Sequence, residues 1–191
     1  MATSKPGEKK LFILQTLASM LENPKAEKIT TASLAARIGV SEAALYRHFA
    51  SKAQMFEGLI EFIESSVFGL INQITAQQDH GILQAQEIMH MLLEFSSRNP
   101  GMTKVITGHA LINEDARLQL RMNQFVDRVE LALKQALRVA AQAGQINETE
   151  VAVHANLLVS VVLGRWQRFV NSSFKHDPLE NAVQQIRSLL S

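Results

Sequence analysis

Apolar residues recur every three or four positions along almost the whole chain, and strictly alternating runs are nearly absent. That period belongs to the α-helix, so the pattern predicts an all-α protein of about nine helices. The first helix runs from about Glu8 to Glu22, with Leu11, Leu14, Ala18 and Leu21 on one face. Asn23-Pro24 stops it, because a proline ring clashes with the preceding turn. Thr30 or Thr31 caps a second helix whose Leu34, Ala35 and Ile38 point inward. Gly39 makes a tight turn with Val40 as a small apolar plug beneath it. Ser41 caps a third helix, Glu42–Phe49, and Ser51 caps a fourth in which Gln54 completes a capping box.

The fourth helix is long, from about Lys52 to Gln77, and Met55, Leu59, Phe62, Ile63, Val67, Leu70 and Ile74 form its stripe, with Gly81 near its end. A fifth spans about Leu83 to Ser97 and closes at Asn99-Pro100-Gly101, a strong breaker. A short sixth covers Met102–Ala110. The seventh, about Asp115 to Ala143, carries Leu118, Met122, Phe125, Val129, Leu133, Leu137 and Ala140 and ends at Gly144. Asn147 with Glu150 opens an eighth, which reaches about Asn171. Asp177-Pro178-Leu179-Glu180 has the cap, proline and acid of a ninth start.

Composition narrows the class. Hydrophobic residues make up 47% of 191, enough for a real core, and there is no cysteine. Disulfides, thiolate zinc sites and thiol catalysis are excluded, and a reducing cytoplasm is the expected setting. The polar start, MATSKPGEKK, lacks the h-region and cleavage site of a signal peptide. The most apolar segment, Val151–Leu163, is too short and too interrupted for a bilayer, so no membrane partner is expected. Net charge is only +1. Its distribution is uneven: residues 1–52 hold eight Lys or Arg against four Glu, and the remainder eleven against fourteen acids. A basic head on a mildly acidic body suits phosphate contact at one end.

The segment 29–52, ITTASLAARIGVSEAALYRHFASK, gives that head a use. Two short helices joined by a tight turn form a helix-turn-helix, with Ala35, Val40 and Leu45 holding the second helix against the first. The outward side of that second helix carries Ser41, Glu42, Ala43, Ala44, Tyr46, Arg47 and His48. Ala43 and Ala44 allow close approach to bases and thymine methyls, and Arg47 reaches guanine edges or phosphate. Tyr46, His48 and Lys52, with Thr31, are placed for backbone oxygens, aided by free amides where the fourth helix starts. The expected DNA-binding residues are thus Thr31, Ser41, Ala43, Ala44, Tyr46, Arg47, His48 and Lys52, acting on double-stranded DNA. A helical hairpin with a surface tyrosine is the plain alternative.

The ordered set Thr-Thr, small alanine, Gly-Val-Ser, Leu-Tyr-x-x-Phe and Ser-Lys resembles the TetR family. The resemblance implies a three-helix DNA-binding domain (1–52) and a helical C-terminal domain that dimerises and regulates (53–191). It extends to the nucleoid-occlusion branch of that family through SEAALYRHF with SK (41–49, 51–52), LIEFIE (59–64), RNPG (98–101), TGHAL (107–111) and RFV-x-S-x-FK (168–170, 172, 174–175). It implies a nucleoid-associated dimer that, when bound to specific chromosomal sites, antagonises polymerisation of the tubulin-like division protein FtsZ. Two departures stand out. Ala50 replaces a common proline, loosening the lead-in to the fourth helix. The N-terminal arm is poor in arginine, with Lys5, Lys9 and Lys10.

The eighth helix is apolar nearly all round, so one face meets the core and the other a second subunit. Leu158, Val162, Trp166, Phe169 and Ile186 are the expected homodimer seam, a two-fold four-helix contact with the ninth helix that lets two heads read a palindromic site. The other reading buries the eighth helix within one subunit. Phe62 beside Arg98 and Asn99 is the candidate surface for the protein partner, an aromatic next to an arginine, although Phe62 also falls on the core stripe. The six histidines (His48, His80, His90, His109, His154 and His176) show no metal-ligand spacing. No phosphate-cradling loop follows a strand, and Ser160 with His154 lacks an orienting acid. No enzyme activity, metal or cofactor is expected. His109 either lines an interior pocket or is a hydrogen-bonded core residue. The competing functions are a repressor released by a small ligand and a helical scaffold.

Overall fold

The computed structural model describes residues 6–23 and 29–190; Lys5, Pro24, Lys25, Glu27 and Lys28 lie outside the described residues. Within them the chain is all-helical: α1 (Pro6–Leu21), α2 (Thr31–Ile38), α3 (Glu42–Tyr46), α4 (Lys52–Gln77), α5 (Gly81–Arg98), α6 (Pro100–Ile106), α7 (Ala116–Gln142), α8 (Val151–Asn171) and α9 (Ala182–Leu189), with 3-10 turns at His109–Leu111 and Glu148–Glu150. The first three helices form the head. One apolar cluster links Leu14, Leu17 and Leu45 there through Leu59, Ile60 and Ile63 of α4 to Phe125 and Trp166 of the body.

Several predicted elements shift. Leu11 is 39% exposed, and Ile13 and Leu17 take its place on the inward face of α1. Gly81 opens α5 rather than closing α4. The Asp177 start is not a helix start. Arg165 from α8 donates to the carbonyl of Pro178 and to that of Glu180 at 3.2 Å. Asn181 then takes a left-handed conformation, φ 56°, which a right-handed helix cannot continue through. α9 begins only at Ala182.

The residues expected in the dimer seam are core residues of one subunit. Leu158 and Val162 are fully buried, Trp166 is 1% exposed, and Phe169 and Ile186 are 4% exposed. α8 packs against α7 and α5, and the Trp166 indole N–H donates to the Leu92 carbonyl at 3.2 Å. Large apolar rings seek the driest position, which here is the interior of the body. What α8 leaves exposed is a different stripe, Val153, Leu157, Ser160, Gly164 and Arg168.

Head and body meet at α1 and α6. A Cβ on Gly101 would overlap the carbonyl oxygen of Ala18, so the first turn of α6 lies directly on the α1 backbone. Beside it Lys104 Nζ donates to the Asn23 carbonyl at 3.1 Å and stands 5.2 Å from the centre of the Phe174 ring. Burial lowers the Lys104 pKa. His109 is half-buried and bridges Thr107 Oγ1 (3.0 Å) and Asn171 Oδ1 (2.8 Å), tying the turn after α6 to the end of α8.

Gly101→Ala forces α1 and α6 apart and should destabilise the protein by about 1–3 kcal/mol in urea unfolding. Gly69→Ala, mid-helix in α4 with open space around its Cβ, should stabilise it by about 0.5–1 kcal/mol. Asp115 caps α7 and accepts from the Arg117 guanidinium and backbone N–H, which hold its carboxyl down to about 2 from 3.8. Because the folded pKa is depressed, its contribution is complete above pH 4 and is lost as pH falls through about 2. Carbon-13 titration of Asp115 should show that midpoint, and Arg117→Ala should return it toward 3.8.

Candidate nucleic-acid interface

Capping fixes the local shape of the head. Thr30 is the cap of α2: its Oγ1 accepts from Ser33 N–H at 3.1 Å, and Ser33 Oγ accepts from Thr30 N–H at 3.0 Å. This leaves the Thr31 hydroxyl for other partners. At the far end Gly39 sits at φ 81°, and the N–H groups of Gly39 and Val40 both return to the Ala35 carbonyl, at 2.9 and 3.0 Å. Only glycine adopts that conformation cheaply. Ser41 then caps α3, accepting from Ala44 N–H at 3.2 Å. Leu34, Ala35 and Leu45 fill the angle between the helices. Val40 does not: it is 42% exposed. Its bond back to Ala35 swings it outside an angle that larger residues already occupy.

The outer side of α3 presents Ser41, Glu42, Ala43, Tyr46 and Arg47 to solvent, with Ala44 and His48 half-buried. α3 ends at Tyr46, three residues before the expected Phe49, and Arg47 and His48 lie in the following turn. The Arg47 guanidinium has no hydrogen bond or ion pair among the described residues. A free cation beside two methyl-sized side chains is an arrangement suited to a base edge or a phosphate.

Other expected contacts are engaged within the protein. Thr31 Oγ1 donates to Glu42 Oε2 at 2.7 Å and accepts from the Tyr46 hydroxyl at 3.4 Å. Lys52 forms an ion pair with Glu114, in the segment before α7, and its Nζ stands 5.6 Å from the centre of the Phe56 ring. Reading Lys52 only as a phosphate ligand is corrected by that pair, which joins positions 62 residues apart. No local spacing signals such a partner. Ala50 also behaves differently from expectation. Its N–H donates to Gln54 Oε1 at 2.8 Å while Ser51 Oγ accepts from Gln54 N–H at 3.1 Å. A proline at 50 has no N–H for that bond, so alanine ties the lead-in to α4 instead of loosening it.

The three residues expected at a protein partner lie on α4 and at the α5–α6 joint. The short connection after α4 turns α5 back along it. Phe62 is half-buried against the core. Arg98 is 75% exposed and pairs with Glu94 at 2.6 Å. Asn99 is half-buried, and its Nδ2 donates to the Phe95 carbonyl at 2.7 Å.

Comparison with known proteins agrees with this layout. Residues 26–59 match the family described as bacterial regulatory proteins, tetR family. Residues 79–191 match the SlmA-like tetracyclin repressor-like C-terminal domain. The chain is 48% identical over 183 residues to the nucleoid occlusion factor SlmA of Aliivibrio fischeri, covering 95% of this chain and 93% of that one. It is 47% identical to SlmA of Shewanella pealeana, covering 97% and 94%. Among solved structures, the fatty acid degradation regulator FadR from Bacillus halodurans superposes with a TM-score of 0.82 at 14% identity, covering 98% of this chain and 97% of that one. A TetR transcription regulator from Haloarcula marismortui gives 0.80 at 16%, covering 96% and 97%. The structural likeness establishes the TetR fold; the sequence agreement, running through head and body alike, establishes that the chain belongs to the SlmA nucleoid occlusion factors of the TetR family.

Proposed function

We propose that this protein works in the cytoplasm on the nucleoid, as a DNA-bound homodimer that inhibits FtsZ ring assembly over the chromosome. The observation that carries the reading is full-length agreement at 46–48% identity with nucleoid occlusion factors. It extends well beyond the helix-turn-helix, into the domain where TetR-type regulators differ most.

Each part then has a physical role. The five residues of α3 reach only a few base pairs, so useful specificity requires two copies about one duplex turn apart, roughly 34 Å. The exposed stripe Val153, Leu157, Ser160 and Gly164 on α8, with Val183 on α9, is the surface for the second copy. Such a stripe is apolar and small enough for close helix approach. Arg47, Tyr46 and His48 supply phosphate or base-edge contacts, and Thr31 lends its backbone N–H at the first turn of α2. Lys52 serves phosphate only after exchanging Glu114 for it. Phe62, Arg98 and Asn99 form the FtsZ-facing surface, with the guanidinium as its charged contact.

Arg47→Ala should weaken specific binding by about 1–3 kcal/mol, measured by fluorescence anisotropy on a cognate duplex. Wild-type affinity in that variant would remove Arg47 from the interface. In co-sedimentation, the protein should reduce pelleted FtsZ polymer, and more strongly with its DNA site present. Leu157→Glu should yield a monomer by light scattering and lose both the DNA site and the effect on FtsZ. An FtsZ pellet unchanged by the wild-type protein, with and without DNA, would reject the proposed activity.

A further inference from the structure

Glu42 stands out because it is an acid on a surface otherwise suited to polyanion contact. It occupies the first position of α3, is exposed, and lies next to Ala43 on the side that carries Arg47. A carboxylate facing a duplex is repelled by the phosphates, so a bare surface acid there weakens binding. This one is not left loose. Thr31 Oγ1, on a neighbouring helix, donates to Oε2 at 2.7 Å, and the Tyr46 hydroxyl backs Thr31 at 3.4 Å. Those bonds fix the carboxylate against the first turn of α2 and α3. Oε1 has no donor among the described residues. The salt bridges of the described residues likewise leave Glu42 without a cation.

We infer that Glu42 is a base-reading residue that selects cytosine at one position in each half-site. The inference rests on the DNA-binding reading above. A held carboxylate has acceptors only, and in the major groove cytosine presents the N4 amino donor with no adjoining acceptor on its own edge. Guanine O6 and thymine O4 would place lone pair against lone pair, and adenine offers its amino group beside the repelling N7. The neighbouring Ala43 is small enough to let the carboxylate reach the edge. Thr31 is a positioning residue here: with its hydroxyl proton committed to Glu42, the side chain orients the carboxylate, and only the backbone N–H is left for phosphate.

Binding-site selection from a random duplex pool tests this on the full-length protein, with wild type, Glu42→Gln, Glu42→Ala and Thr31→Val compared. Wild type should enrich a palindrome with one cytosine per half-site whose replacement lowers affinity by on the order of 10-fold or more. Glu42→Gln should move that position toward adenine, because an amide pairs with N6 and N7 together. Glu42→Ala should lose preference at that position alone while keeping the rest of the palindrome. Thr31→Val should blunt the same preference without abolishing it. Helix content and melting temperature, read by circular dichroism, confirm that each variant folds. An Ala variant that enriches the same site with the same preference at every position overturns the role of Glu42 while leaving DNA binding intact. Uniformly altered affinity, with no change at any one base, equally overturns it and makes Glu42 a structural partner of Thr31. A wild-type pool with no enriched sequence overturns the DNA reading itself.

Discussion

The molecule depends on α4 being a single rigid rod buried along one side. Met55, Phe56, Leu59, Ile60, Ile63 and Val67 are all at most 1% exposed, and they pack on the head at one end and the body at the other. Interiors are packed like organic crystals, so displacement of a rod buried along such a stripe is felt along its length. The capped start at Ser51 therefore belongs to the same body as Phe62, three turns further on. The α1–α6 contact closes a second bridge. It sets the Ala18 carbonyl against Gly101, two residues beyond Asn99. The proposed surfaces for DNA and for a protein partner thus sit beside the same two junctions.

The polar groups of the head are disposed in two states. Some are satisfied inside the protein: Lys52 by Glu114, Thr31 by Glu42 and Tyr46, Ala50 N–H by Gln54. Arg47 is left without such a partner. Exposed ion pairs contribute little, whereas the partly buried pair of Lys52 and Glu114 is less screened by salt. Exchange of that pair for phosphate would be felt at the segment before α7, where Asp115 caps a 27-residue helix of the body. Farther along, the Arg121 guanidinium forks onto Glu64 at 2.7 and 3.2 Å and binds α7 to α4. The polar links between α4 and α7 are as much a part of the frame as the apolar stripe.

The sequence alone made much of this legible. Helical period gave the all-α plan and the long α4, and cap chemistry placed Ser41, Ser51 and Gly39 at their helix ends, because these signals depend on bonds within four residues. The small and charged outer side of α3 was readable for the same reason. Other matters were decided only by tertiary packing. Which apolar face of α8 is core and which is free depends on α7 and α5 lying against it, and so Leu158, Val162 and Trp166 turned inward while Val153 and Leu157 stayed out. The Asp177-Pro178 signal yielded to Arg165, which claims the carbonyls a helix would have used. Glu114 for Lys52 and Thr31 for Glu42 are pairings between elements that lie apart in the sequence. A chain's local pattern states what each side chain is able to bond; only the fold brings a distant partner within reach of it.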